Sequence, residues 1–182
     1  MPRTRTKRGP QADEPASSEK AKEAIGDSRG GPTTKIHLLA DCQCRPLAFL
    51  LSQGQRHDSQ FLARILDAVR VPRGGRGRPR KRPDDLYLDK GYSYPQCRAL
   101  LRQRGIRHLI PERRDQRANR QKKGGKGGRP CVYERARYAL RNVAERCILR
   151  LQWFRRVATR YDKRAETYQA FVTIAAIMLW LR

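Results

Sequence analysis

Apolar residues cluster along this chain in short runs whose spacing changes from strand to helix and back. Lys35–Ala40 and Leu47–Leu51 are brief runs rich in Ile, Leu and Phe, and they predict two strands. Between them, Asp41-Cys-Gln-Cys-Arg-Pro46 has turn chemistry at both ends and suits a hairpin loop. Phe61, Leu62, Ile65, Leu66 and Val69 recur at helical spacing, so a helix is expected over Asp58–Val69, capped by Asp58 or Ser59. Asp85–Leu88 reads as a short strand ending at Asp89. Tyr94–Arg104 reads as an amphipathic helix stopped by Gly105, and Arg107–Ile110 as a strand broken by Pro111.

The longest periodic stretch begins at Tyr138. Leu140, Val143, Ala144, Cys147, Ile148, Leu151, Phe154 and Ala158 form one apolar stripe on a helix carried through to Ala158. At ~100° per residue, Tyr138, Arg141, Glu145, Gln152 and Arg156 fall on a second strip well around from it. One face packs, and the other presents a lone carboxylate among a Tyr, an amide and two Arg. Trp153 sits beside that strip and is expected to pack in the core. A last apolar run, Phe171 to Leu181, is too short to span a bilayer and predicts a buried helix.

Residues 1–34 are polar, charged and rich in Gly, Pro and Ser, so little order is expected there. The folded domain is expected over residues 35–182. Residues 72–83 and 113–130 read as two basic, Gly-rich loops. The order strand, strand, helix, strand, helix, strand, helix indicates an α/β domain.

Charge narrows the function classes. The 182 residues hold 42 Lys+Arg against 17 Asp+Glu, a formal net charge of +25. Such a surface attracts polyanions, and nucleic acid is the commonest cellular one. The two basic loops suit phosphate contacts that follow a backbone without reading sequence. The five Cys form no C-x-x-C, and the three His stand at no zinc-ligand spacing, so reduced thiols in a cytoplasmic protein are expected. No apolar run follows the basic start, which argues against a signal peptide.

Taken alone, Asp89 reads as a turn or helix-cap residue, and Glu145 as a surface residue paired with Arg141 one turn back. The spacing Tyr138-x2-Arg141-x3-Glu145 changes that. It resembles the region around the last acidic residue of bacterial insertion-sequence DDE transposases, in the group named after insertion sequence five. Gly30-Gly-Pro-Thr-Thr-Lys35-Ile-His37, Arg45-Pro-Leu, Pro83-Asp-Asp-Leu-Tyr-Leu-Asp89-Lys-Gly-Tyr92, Asn119-Arg and Ala158-Thr-Arg-Tyr161-Asp-Lys163 resemble that group in the same order.

The resemblance implies a ribonuclease-H-like catalytic fold and metal-dependent DNA strand cleavage and transfer. It implies that Asp89 and Glu145 ligate Mg²⁺ or Mn²⁺, with Tyr138, Arg141, Gln152 and Arg156 toward the DNA. Gln152 departs from the family's usual Lys, which weakens a phosphate contact there; Arg156 one turn on would compensate. A larger departure lies at the front, where the family's first strand, central in its sheet, carries the first catalytic Asp. No such strand is found ahead of Gly26; Asp13 lies in loop composition and Asp41 in the hairpin. The expectation is therefore a partial transposase, inactive alone through truncation or frameshifting, whose partners are DNA, further copies or an upstream transposase fragment, with no membrane. It would act at the bacterial nucleoid. The alternatives are a non-catalytic DNA-binding protein or inhibitor of intact transposase, and a structural RNA binder.

Overall fold

The computed structural model describes residues 23–28, 31–131 and 133–181. It is a mixed α/β structure with two small sheets. The first sheet is an antiparallel meander of β1 (Gly26–Ser28), β2 (Gly31–Ala40) and β3 (Pro46–Gln53) in that order. The second pairs β4 (Asp85–Tyr87) in parallel with β5 (Arg107–Leu109). The helices are α1 (Leu62–Ala68), α2 (Pro95–Gln103), α3 (Arg114–Lys122), α4 (Arg135–Tyr138), α5 (Asn142–Gln152), α6 (Arg155–Ala158) and α7 (Ala165–Trp180).

The hairpin forms where turn chemistry placed it. Asp41 accepts the backbone N–H groups of Gln43 and Arg45, each at 2.9 Å, and its carboxylate also pairs with the Arg45 guanidinium. Cys44 takes a positive φ of 60° to close the turn. From there the period-2 pattern divides the sheet's faces. Ile36, Leu38, Phe49 and Leu51 pack with Val172, Ala175 and Leu179 of α7, along with Leu151, Val157 and Tyr168. Leu39 turns the other way, joining α1, α2 and the β4/β5 pair in a second core around Leu62, Leu66, Leu86, Leu101 and Ile110. Helices thus cover the meander on both faces.

Leu101 is completely buried at the centre of that second core. Truncating it leaves a cavity as well as removing buried surface. Leu101→Ala is expected to cost about 2–5 kcal/mol, read as a lower urea midpoint with unchanged slope. Arg102→Ala on the exposed side of the same helix should stay within about 0.5 kcal/mol of the parent.

Five expectations change. Residues 26–28 and 31–34 form strands where an unordered segment was expected, because β2 is long enough at its start to pair with Gly26–Ser28; residues 1–22 lie outside the described residues. His57, not Asp58 or Ser59, is the cap: it accepts the Ser59 N–H and opens a 3-10 turn (Asp58–Phe61) before α1. The second basic loop contains a helix, α3. Its Arg, Gln, Ala and Lys residues are good helix formers, and Arg120 grips Glu112 with two hydrogen bonds of 3.2 and 3.1 Å. The single helix expected from Tyr138 to Ala158 is broken twice, by a 3-10 turn (Ala139–Arg141) and again at Trp153–Phe154, where Phe154 turns to extended backbone. The break carries Trp153 out of the core, leaving it 72% exposed.

α7 is apolar nearly all round. Val172, Ala175 and Leu179 are buried, while Ile174, Ile177, Met178 and Leu181 form an exposed stripe. Among the described residues no helix is long and apolar enough to cross a membrane.

Candidate functional site

β4 ends two residues before Asp89. There the chain leaves the sheet, and the Asp89 carboxylate accepts the Lys90 N–H at 2.7 Å, starting a 3-10 turn (Lys90–Tyr92). That turn is held from two sides. Arg113 and Gln116, at the start of α3, donate to the carbonyls of Lys90 and Ser93 at 3.2 and 3.3 Å. Tyr94 hydrogen-bonds His57 at 3.0 Å, and Arg113 lies over the Tyr94 ring. Asp89 itself is exposed, so a fixed turn presents an accessible carboxylate.

Asp85 ties the opposite element to the same strand. Its carboxylate pairs with Arg107 of β5 at 2.8 Å and Arg137 of α4 at 3.0 Å. Tyr138 is the next residue after Arg137. Its hydroxyl pKa is raised by burial first; the Arg141 charge opposes that, and the negative charges of Asp89 and Glu145 add to it. Tyr138 therefore lies within electrostatic reach of both carboxylates. Arg141 stands over the Tyr138 ring at 5.6 Å and pairs with Glu145 at 2.5 Å. Glu145 is about half exposed and its charge is matched by Arg141.

Gln152 is exposed at the end of α5. Arg156 lies beyond the break, on α6, where it pairs with Asp162 at 3.7 Å and stacks over Phe171 of α7. The helical break therefore takes Arg156 off the strip that Tyr138, Arg141 and Glu145 share. Asp27 is exposed on β1, and Asp41 is committed to its turn. Among the described residues no group of three or more His, Cys, Asp or Glu is placed to hold a metal ion. The hard oxygens of Asp89 and Glu145 suit Mg²⁺ or Mn²⁺ in kind, but they fall short in number.

Sequence reasoning did not find the polar network under the Asp89 turn. His37 is buried, stacked on Phe61 with ring centroids 4.3 Å apart, and shares a 2.8 Å hydrogen bond with Ser52. Asp58 accepts from Lys35 at 2.9 Å and lies against Gly91, where an added Cβ would stand 3.4 Å from its carboxylate. The His-Asp pair at 57–58 was the available signal.

Burial lowers the His37 pKa, and the Lys35 and Arg64 charges add to that against Asp58. The unfolded chain, with its imidazole near 6.5, therefore takes up a proton before the folded one does. The stability from this group is intact above about pH 6.5 and is lost as pH falls through the folded value. His37→Gln should flatten the fall in thermal midpoint from about pH 6.5 downward, compared with the parent. Parallel curves would sink this assignment.

The basic segments are open to solvent. Arg73, Arg76 and Arg78 are exposed between α1 and β4, and Lys122, Lys123 and Lys126 are exposed at the end of α3.

Comparison with known proteins adds three findings. The family model for the transposase DDE domain matches residues 3–181. A Burkholderia cepacia protein named as a transposase for insertion sequence element IS402 is 32% identical over 151 residues, covering 83% of this chain. The chain spans 64% of the length of that relative. No solved structure matches.

Proposed function

The chain belongs to the transposase DDE family, and on that premise we propose that it supplies the downstream catalytic part of an insertion-sequence transposase with a ribonuclease-H-like fold. What supports the reading is that Asp89 follows a strand and Glu145 lies on a separate helix, while the charges of both act on the Tyr138 hydroxyl and Arg141 links Tyr138 to Glu145. Asp89 and Glu145 would hold Mg²⁺ or Mn²⁺. A divalent ion bound there supplies Lewis acidity to phosphodiester chemistry.

The remaining roles belong to side chains of this chain. Arg141 offers a planar fork to a phosphate and releases Glu145 as it turns to the DNA. Tyr138 packs beside it and orders both groups. Gln152 adds a neutral hydrogen bond, and Arg156 acts on the α7 side, away from the carboxylates. The exposed Arg and Lys of the two basic segments hold the duplex, whose element ends and target are the substrates.

Two carboxylates do not complete the set that two divalent ions need. We therefore propose that residues 1–182 do not cleave DNA unaided, and that a first, central strand bearing the third carboxylate lies outside them. The test is metal-dependent nicking of an element-end duplex by this chain with and without such a strand joined to it. The Arg141–Glu145 pair favours a second reading, a non-catalytic DNA-binding protein or inhibitor of intact transposase. Persistent lack of nicking by the completed chain, with DNA binding retained, would select it. An RNA preference in competition would point instead to a structural RNA binder.

A further inference from the structure

The break after α5 leaves one aromatic ring with no place in the core. Trp153 keeps helical dihedrals, φ −62° and ψ −23°, as the last residue before the chain turns. Phe154 then takes extended backbone and packs inward with α7. The chain has two Trp, and they contrast. Trp180 donates its indole N–H to the Pro46 carbonyl at 2.9 Å, and the Arg45 guanidinium covers its ring at 4.2 Å. Trp153 is 72% exposed. Among the described residues its indole N–H has no acceptor, and its ring has no aromatic or cationic partner. A large apolar face with a single donor is thus held open to solvent.

The surroundings of the ring narrow what it can take. Leu149 and Arg150 lie one turn back on the same helical face, and Arg146 lies two turns back. Leu149 is exposed and extends the apolar surface. Arg146 and Arg155 are exposed and Arg150 is half-buried; among the described residues none of the three pairs with a carboxylate. An apolar ring among unpaired cations suits an anionic ligand that has flat apolar faces, and a nucleic acid strand is such a ligand. A second copy of this chain fits badly, because a symmetric contact sets the same Arg against one another. A closed duplex hides its base faces in the stack and offers only edges in the grooves. The ring therefore needs a base that has left its stack. Gln152, the exposed neighbour, has both a donor and an acceptor for the edge of that base. Glu145 stands eight residues back, ~12 Å along the helix axis. That is about the length of three to four nucleotides of one strand.

We propose that Trp153 is a stacking platform for one unpaired nucleobase, on the DNA strand that passes Glu145. The proposal rests on the transposase reading above and deepens it, by naming an opened strand as the form of DNA held beside that carboxylate. Its test reads binding at Trp153 instead of cleavage, so the two readings can fail separately.

Residues 1–182 carrying Trp180→Phe keep Trp153 as the sole Trp. The probes are a blunt duplex, the same duplex with a short single-stranded thymidine overhang, and that overhang made abasic. The thymidine overhang should quench Trp153 emission, while the blunt and abasic duplexes leave it unchanged. In the otherwise native chain, Trp153→Ala should weaken binding of the thymidine overhang at least about fivefold and leave the blunt duplex bound as before, which also shows that the fold is intact. Trp153→Phe should keep most of the overhang affinity, since a smaller aromatic face still stacks. Equal quenching by the abasic overhang would overturn the proposal, and so would an overhang affinity unmoved by Trp153→Ala. Emission that changes with protein concentration alone would show that a second copy covers the ring, and would overturn it too.

Discussion

A fluorescent duplex is expected to bind residues 1–182 about a thousandfold more weakly at 200 mM salt than at 50 mM. Arg73, Arg76 and Arg78 and the Lys122, Lys123 and Lys126 set are six exposed cations on two segments. If each neutralises one phosphate, the slope of log affinity on log salt is about −5. The effect is entropic: counterions leave the duplex as the side chains arrive, and added salt opposes their release. Replacing the three Arg by Ser should reduce the slope by about 3 and weaken all duplex sequences alike. A flat titration, or one sequence held tightly at high salt, would mean that base contacts dominate.

The second expected result is catalytic. Joined to a strand that carries a third carboxylate, the chain should nick element-end DNA with Mg²⁺ or Mn²⁺, whereas residues 1–182 alone should not. In that completed chain Asp89→Asn and Glu145→Gln should each lower the rate by roughly a thousandfold. A carboxylate that fixes a divalent ion supports several kcal/mol of charge stabilisation, and ~1.4 kcal/mol is tenfold. Arg141→Ala should act differently, weakening DNA binding more than turnover, because it removes a phosphate grip while freeing Glu145 from its ion pair. Robust cleavage by residues 1–182, lost on Asp89→Asn, would show that Asp13, Asp27 or Asp41 provides the third group.

What could be read from the sequence follows from the range of the forces involved. The hairpin was legible because Asp41 and Pro46 fix its turn locally and Ile36, Leu38, Phe49 and Leu51 alternate. α2 was legible because its apolar period ends at Gly105, which takes a φ of 63°. α3 was hidden by the Gly and Lys around it, although its own residues favour helix and the Glu112–Arg120 pair secures it. The break at Trp153–Phe154 was hidden for the opposite reason. The apolar stripe continues through it, and only packing of Phe154 and Val157 against α7 decides that the chain turns. Asp89 and Glu145 could be named from motif spacing. That both of their charges act on Tyr138 is a matter of tertiary placement, which the Asp85–Arg137 pair helps fix across 52 positions of sequence.

The position of α7 has a bearing on synthesis. The face of β2 and β3 made of Ile36, Leu38, Phe49 and Leu51 is closed by the last long helix of the chain. A ribosome working at ~5–20 residues per second takes on the order of ten seconds to go from β3 to α7. Throughout that interval the nascent hairpin carries a sticky side with nothing to cover it, so yield in the cell should depend on chaperones that hold the emerging chain until its final segment is released.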